Sequence, residues 1–341
     1  ELAPLLAEIE EEKPDLLLVQ NSSFSQGQLI PPLARLGLRL GLWAVPEPRE
    51  TGGLPLNSFC GMNMYSSIIR QYLREEKIKY KWFFGLPGDP SFDGRLAVTI
   101  RALRVLKKLA GARIGLIGGI APGFDDLYFD ERTVQAGFGV SVNRLLKFDD
   151  LERVMSSLPA TAVAAALAEI KAEGKNLDLA ESDLEAQARV FLTVKEIAAR
   201  YKLDAVALSC WPKYNDITRI APCSAIGRLN EYGITVSCEG DLPGALAMYI
   251  LNCLNGSQST LMDMVAYDER DDSVLMWHCG PSAKRWACDG GLCYRRDSIT
   301  KLGTVNDFNL KPGGVTVLQL TDDCRQGLVF TGRILGTKPA H

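Results

Sequence analysis

Residues 233–241 read Gly-Ile-Thr-Val-Ser-Cys-Glu-Gly-Asp. The β-branched run at the start of this stretch predicts a short buried strand. Glu239 follows at the carboxyl end of the strand, the edge at which α/β sheets present their ligands. The apolar segment 242–254 then predicts a helix, which the Asn-Gly pair at 255–256 ends because both residues tolerate a positive φ. The stretch therefore predicts a strand–turn–helix unit with a carboxylate in the turn.

Two β-rich runs come next, over 259–267 and 273–280, and they flank a charged turn. In a hairpin that is symmetric about this turn, Asp263 lies directly opposite His278, with Cβ atoms roughly 5 Å apart. Two such side chains can share a divalent metal ion, and Glu239 can supply a third ligand. The pattern therefore predicts a candidate metal site of two carboxylates and one imidazole.

Each of these residues also has a purely structural interpretation. His278 can be a hydrogen-bonded interior residue, and Asp263 can be a charge that protects an edge strand. Glu239 can be an anion near a helix N-terminus. Geometry alone leaves both interpretations open. The other of the two histidines is the last residue, so a histidine-rich zinc site is excluded.

The same part of the chain resembles the L-fucose isomerase family and, more distantly, the L-arabinose isomerases. The resemblance is strongest over residues 205–282. The matching segments are Cys-Ser-Ala-Ile-Gly-Arg-Leu-Asn-Glu at 223–231, Cys-Glu-Gly-Asp at 238–241, Asp263, and Trp-His-Cys-Gly at 277–280.

The resemblance implies a metal-dependent aldose–ketose isomerase that works through an enediolate. It implies a manganese ion held by Glu239, Asp263 and His278, and oxygen-rich ligation with one imidazole suits Mn²⁺ or Mg²⁺ better than zinc. Glu239 and Asp263 would also be the catalytic groups that move the proton. Family members form trimers or hexamers, so a homo-oligomer is expected.

The pattern of elements predicts an α/β fold with Rossmann-like parallel domains followed by a C-terminal antiparallel β domain. A chain of 341 residues exceeds one ordinary core, so we expect two or three domains. The predicted division is an N-terminal α/β domain over 1–88, a second over 89–243, and a β-rich end over 244–341. The chain starts with a helix rather than a strand, which suggests that an N-terminal segment is missing.

Composition narrows the class of protein. The net charge is −3 and gives no basic surface for nucleic acid. No apolar run approaches the roughly 18 residues of a membrane span, and no signal peptide is visible. The nine cysteines are an odd number without framework spacing, which favours reduced thiols in a cytoplasmic protein.

Three further residues are predicted to contact the sugar. Trp211 follows a strand, where it is either a core lid or a surface on which a sugar stacks. Phe124 lies in the glycine-rich loop after another strand and can form an apolar wall. Asn57 precedes a predicted helix. The loop around Phe124 lacks Gly-x-Gly-x-x-Gly and Gly-Lys-Ser/Thr, so a nucleotide site is not favoured.

Two other functions remain open at this point. One is a non-catalytic sugar-binding or regulatory protein on the same scaffold, although such a protein needs no metal ligands. The other is an NAD-dependent oxidoreductase, which the missing glycine fingerprint weakens. The sequence does not identify the sugar, but Arg219 and Arg228 could pair with a phosphorylated or sulfonated substrate.

Overall fold

The computed structural model describes residues 2–49, 51–144 and 146–336. The chain divides into two compact units, Glu1–Arg104 and Val105–His341. The boundaries near 88 and 243 that the sequence suggests are finer than this division, and they stay a prediction.

The first unit is a small parallel sheet with helices. Its helices are α1 (Leu2–Glu12), α2 (Ile30–Ala34), α3 (Ser58–Tyr72) and most of α4 (Pro90–Leu109). Its strands are β1 (Leu17–Asn21), β2 (Leu40–Ala44) and β3 (Tyr80–Phe84). All pairs are parallel, in the order β1-β2-β3. Apolar side chains of β2 and α3, among them Leu42 and Met62, form its core.

The second unit is built on a four-stranded parallel sheet in the order β5-β4-β7-β8. The strands are β4 (Arg113–Ile117), β5 (Ser141–Asn143), β7 (Ala205–Leu208) and β8 (Thr235–Ser237). Its helices are α5 (Glu131–Phe138), α6 (Phe148–Ser157), α7 (Ala160–Glu173), α8 (Glu181–Tyr201), α9 (Lys213–Thr218), α10 (Cys223–Glu231) and α11 (Leu242–Asn255).

Both faces of this sheet are covered. All four residues of β7 are buried, as expected for a central strand of a parallel sheet. Val206 and Leu208 pack in one core with residues of α6, α8 and α10. Ala205 and Ala207 pack in the other core with residues of α5 and α11. The carboxyl ends of β4, β7 and β8 therefore meet at one edge, and the loops that follow them lie side by side.

Short strands dominate after α11, and this confirms the prediction of an α/β fold with antiparallel strands near the C-terminus. They are β9 (Asp263–Asp268), β10 (Ser273–Trp277), β11 (Cys293–Arg295), β12 (Val305–Asp307), β13 (Gly313–Thr321) and β14 (Gln326–Ile334). The pairs β9–β10, β11–β12 and β13–β14 are antiparallel. β11 also pairs in parallel with the short β6 (Lys175–Asn176), which ties these strands to the α/β part of the unit.

The symmetric register expected for the β9–β10 hairpin is wrong by one residue. Near the turn, Ser273 pairs with Asp268 as expected, but the register shifts between Leu275 and Met276. Beyond the shift Asp263 lies opposite Trp277 rather than His278. The cause is a β-bulge, in which one strand carries one extra residue. Counting outward from a turn cannot detect such an insertion.

The segment directly before α6 has no helix or strand predicted from the sequence. It contains α5, whose N-cap Asp130 accepts a hydrogen bond from the Arg132 N–H, and the edge strand β5.

Among the described residues no single helix is long and apolar enough to cross a membrane. Helices α6 and α7 have the length and apolar composition of a membrane span only when they are taken together, and the chain bends by 98° at the break between them.

Candidate active site

The turn over residues 238–241 joins β8 to α11 and is held by the neighbouring strand β7 and by the loop after β4. The Gly240 N–H donates to the Leu208 carbonyl at the end of β7, at 3.0 Å. The Ala121 N–H, in the loop after β4, donates to the Glu239 carbonyl at 2.8 Å. Asp241 caps α11, because its carboxylate accepts from the Gly244 N–H at 2.7 Å. Hydrogen bonds therefore hold the turn at three consecutive residues, Glu239, Gly240 and Asp241.

Two consecutive residues of this turn have left-handed backbone conformations. Glu239 has φ +56° and Gly240 has φ +77°. A left-handed glutamate costs roughly 1–2 kcal/mol, and such residues cluster at functional sites. Successive side chains in a strand point to opposite faces, but the turn at Glu239 ends that alternation. As a result, Cys238 Sγ lies 3.5 Å from Glu239 Oε2.

His278 comes directly after β10, and its ring is oriented from one side. Its Nδ1 lies 3.1 Å from the Leu261 carbonyl oxygen, which can only accept. Nδ1 therefore carries a proton, and Nε2 faces the turn. From there Nε2 lies 3.1 Å from Cys238 Sγ and 3.6 Å from Glu239 Oε1. Only 3% of the His278 side chain and 18% of the Glu239 side chain are exposed, so these donors converge in a largely buried place.

The electrostatics of the site are dominated by the Glu239–His278 pair. Burial opposes a charged imidazole, but hydrogen bonds with Cys279 and Glu239 outweigh it and raise the pKa of His278 to about 11. A hydrogen bond with Cys210, burial and the Glu239 charge raise the pKa of the Cys238 thiol well above its ordinary value. A histidine ligand must be neutral, so metal binding here would release protons.

Further carboxylates surround this pair. Burial and the neighbouring charges of Glu239, Asp126 and Asp263 raise the pKa of Asp241 to about 6, although the Gly244 N–H opposes the shift. Asp263 is exposed as a residue, but partial desolvation of its carboxylate and the charge of Glu239 raise its pKa, while His278 lowers it. The charges of both candidate ligands, Glu239 and His278, therefore affect the pKa of Asp263. Several negatively charged carboxylates around one imidazole create a negative potential that favours a divalent cation.

Comparison with known proteins places the chain among sugar isomerases. No family model matches it. A sulfoquinovose isomerase of Priestia megaterium is 30% identical over 343 aligned positions, which cover 98% of this chain and 75% of the relative. Proteins of the same name from Alkalicoccus urumqiensis and a Clostridium species are 29% and 26% identical, each over 94% of this chain and 73% of the relative.

The chain belongs to this sugar isomerase family. The expectation of an aldose–ketose isomerase enzyme is thereby confirmed. The narrower relationship to the L-fucose isomerases stays a prediction.

Two of the three predicted substrate residues of the isomerase lie together. The rings of Phe124 and Trp211 are edge to face, with centroids 6.2 Å apart. They come from the loops after β4 and β7, at the same sheet edge as the 238–241 turn, and Trp211 is 40% exposed. An exposed aromatic surface at this edge suits a sugar better than a core lid. Asn57 is the N-cap residue of α3 in the first unit, with φ +48°, and its role stays a prediction.

A cavity of about 330 Å³ lies beside the loop that holds the turn. Its lining residues are Leu116, Gly119, Ile120, Tyr128 and Arg144. Gly119 and Ile120 are also the residues nearest to Gly240, because a Cβ at position 240 would lie 2.2 Å from the Gly119 carbonyl oxygen. The cavity has the volume of a small-molecule site.

The suggestion that Arg228 pairs with an anionic substrate is wrong. The Arg228 side chain is only 3% exposed and forms ion pairs with Glu169 and Glu173. Its guanidinium also lies 4.8 Å from the ring centroids of Phe191 and Tyr232. Burial, two carboxylates and two rings make Arg228 a structural cation of α10. Arg219 instead is exposed at the end of α9, and the described residues provide no ion-pair partner for it.

Sequence reasoning missed Cys238 as a member of the site. The described residues contain a group of three potential ligands, Cys238, Glu239 and His278, whose donor atoms all lie within 4.8 Å of one another. Asp263 is not part of that group. Two signals pointed to Cys238: its position beside Glu239 and its place in the Cys-Glu-Gly-Asp segment that resembles the isomerase family. Strand alternation, however, predicts that the side chains of Cys238 and Glu239 point apart.

Proposed function

We propose that this isomerase interconverts an aldose and a ketose with the help of a divalent metal ion at Glu239 and His278. The observation that supports this most is the convergence of His278 Nε2 and Glu239 Oε1, 3.6 Å apart in a largely buried place. Metal-ligating histidines commonly donate their other ring N–H to a carbonyl or carboxylate, as Nδ1 of His278 does to Leu261. The donor set therefore fits a metal ion.

We assign the ion as Mn²⁺, with Mg²⁺ as the alternative, and Asp263 as a further ligand beside Glu239 and His278. A bound divalent ion would polarise the sugar carbonyl and stabilise negative charge on the sugar oxygens. Two observations support the assignment of Asp263: it lies opposite Trp277, the residue before His278, and the charges of Glu239 and His278 both affect its pKa.

Proton transfer is assigned to the two carboxylates Glu239 and Asp263. The carboxylate that acts as base removes the proton from C2 of the aldose, and the acid form returns a proton to C1. The hydroxyl proton on O2 leaves as a proton reaches O1, so the carbonyl moves from C1 to C2 without an external oxidant or reductant.

The substrate that we propose is sulfoquinovose, a sugar with a sulfonate at C6, because the relatives carry that name. The aromatic pair of half-buried Phe124 and exposed Trp211 would contact its apolar face. We further propose that the enzyme is a cytoplasmic homo-oligomer, a trimer or a hexamer.

A metal-reconstitution assay tests this function. Protein treated with a chelator should lose isomerisation of sulfoquinovose and regain it with Mn²⁺, while glucose, L-fucose and L-arabinose serve as comparison sugars. In deuterated water, the product should carry deuterium at the carbon that receives the proton, provided that the acid exchanges with solvent first. Full activity after metal removal would contradict the proposal. Binding of the sugar without turnover or label would indicate the sugar-binding alternative.

A further inference from the structure

Cys238 occupies an unusual position for a core cysteine. It is completely buried and packs in the core with Val236 and Leu208, as a small apolar residue would. Its sulfur, however, lies at the edge of that core, 3.1 Å from His278 Nε2 and 3.5 Å from Glu239 Oε2. A packing role alone does not require contacts with both candidate metal ligands.

The three donors have the spacing of a ligand set. Bonds of about 2.0–2.3 Å to one ion place two donor atoms at most about 4.6 Å apart. Cys238 Sγ lies 3.1 Å from His278 Nε2 and 3.5 Å from Glu239 Oε2, and His278 Nε2 lies 3.6 Å from the other carboxylate oxygen, Glu239 Oε1. With a single oxygen from Glu239, the three donor atoms lie within 4.8 Å of one another, so both carboxylate oxygens are within reach of an ion at this place. Each donor is already directed by the protein: His278 by the Leu261 carbonyl, and the other two by the turn.

We propose that Cys238 is a protein ligand of the metal ion, through Sγ, together with Glu239 and His278. The proposal rests on the proposed metal-dependent function and extends it to the identity of the ligands. When the ion binds, the S–H bond of Cys238 breaks and its proton passes to solvent, so that Sγ and His278 Nε2 each offer a lone pair to the ion. No electrons are transferred in this step.

A thiolate ligand changes which ions the site prefers. Sulfur ligands select softer ions such as Zn²⁺, whereas Mg²⁺ prefers carboxylate and water. A site with one thiolate, one imidazole and carboxylate oxygen therefore favours Co²⁺, Zn²⁺ or Mn²⁺ over Mg²⁺. The inference therefore disfavours Mg²⁺, the alternative to Mn²⁺ named above, and adds Co²⁺ and Zn²⁺ to the ions that the site can prefer.

Two measurements on the wild-type protein test the inference directly. Protein loaded with Co²⁺ should show a near-ultraviolet absorption band from sulfur-to-cobalt charge transfer. Protein loaded with Zn²⁺ should show a sulfur neighbour at about 2.3 Å by X-ray absorption, besides nitrogen or oxygen at about 2.0–2.1 Å. Bound ion without either sulfur signal would overturn the inference and leave the metal-dependent function intact. Failure to bind any divalent ion would remove the proposed function as well.

Cysteine variants identify the sulfur. Cys238→Ser should abolish the band, and its Zn²⁺ affinity should fall by at least the 10–100-fold found when outer-shell partners are altered, with a smaller loss for Mg²⁺. Cys210→Ser is the matched control, because Cys210 is a buried thiol of the same core that lies outside the group of three donors, and it should keep the band. A band that survives in Cys238→Ser but disappears in Cys279→Ser would overturn the inference in favour of the neighbouring thiol.

The alternative role for Cys238 is to position His278 by an S–H···N hydrogen bond. The Cys238→Ser variant retains an O–H donor and would then bind Co²⁺ and Zn²⁺ like the wild type. Equal affinities, with no sulfur signal in either protein, would establish that positioning role and overturn ligation. Circular dichroism checks that each variant is folded, and the wild-type measurements decide the question even if a variant is not.

Discussion

The 238–241 turn and the β9–β10 hairpin both supply proposed active-site residues, but the protein supports them in opposite ways. The turn is bonded to β7 and to the loop after β4, and Cys238 is completely buried. All six residues of β9 are exposed. The turn thus holds Glu239 in a conformation that it would rarely adopt alone, whereas the hairpin holds Asp263 mainly through its own strand pairing.

This difference suggests a division of roles. A rigid, buried position suits a ligand, because small displacements weaken a preorganised site. A carboxylate on an exposed strand suits a group that exchanges protons with solvent. Substitutions that affect one function and spare the other can therefore test the comparison.

We expect the largest effect from Glu239→Gln. The change removes a metal ligand and a proton-transfer group together, so metal should be lost and turnover should fall toward the upper end of the roughly 10²–10⁴-fold range for acid–base groups. Elemental analysis and a ketose assay measure the two effects. Glu185→Gln, which breaks an exposed helical ion pair with Arg189, is the control and should change neither.

Asp263→Asn should separate the two functions. The amide oxygen is still available as a ligand, so metal should bind, but turnover should fall by about 10²-fold because the acid–base group is lost. Deuterium transfer from solvent should fall in parallel. Asp268→Asn, at the other end of β9, is the matched control. Equal rates for the wild type and Asp263→Asn at saturating metal would leave Glu239 as the only proposed acid–base residue.

The rigidity of the turn can be tested through stability. Gly240→Ala places a Cβ 2.2 Å from the Gly119 carbonyl oxygen at a residue with φ +77°, so unfolding free energy should fall by roughly 3 kcal/mol. Gly256→Ala is the control, since its φ is +66° but no atom lies within 4 Å, and it should cost only about 1 kcal/mol. Equal costs in chemical denaturation would indicate that the loop over the turn moves freely.

The same contrast explains which features of the fold and of the candidate site could be predicted from the sequence. Strand β8, helix α11 and the carboxylate between them were predictable because buried β-branched residues, a capping aspartate and a terminal Asn-Gly act locally. The pairing of Phe124 with Trp211 at one sheet edge follows from parallel strands in the same way.

The remaining features depend on tertiary structure. The bulge that moves Asp263 opposite Trp277 has no signature in the alternation of residues, and it shifts the register without changing composition. Cys238 joins the site only because Glu239 is left-handed. That conformation is supported by hydrogen bonds with β7 and with the loop after β4, and no local sequence pattern predicts these bonds. Likewise, the two glutamates that occupy Arg228 lie more than 50 positions away.

We expect the smallest effect on the stability of a single chain from substitutions of the exposed apolar residues of the β9–β10 hairpin. Tyr267 is 69% exposed and Leu275 is 59% exposed, so Leu275→Ser should change the unfolding free energy by less than about 0.5 kcal/mol. An isolated two-stranded ribbon is marginally stable in water, and apolar patches of this kind mark contact surfaces. If a second copy covers the hairpin in the proposed homo-oligomer, Leu275→Ser should weaken the assembly in sedimentation equilibrium. Ile299→Ser, at a 74% exposed position outside the hairpin, should leave the assembly intact. An unchanged mass for Leu275→Ser across a dilution series would mean that the hairpin is not the contact between subunits.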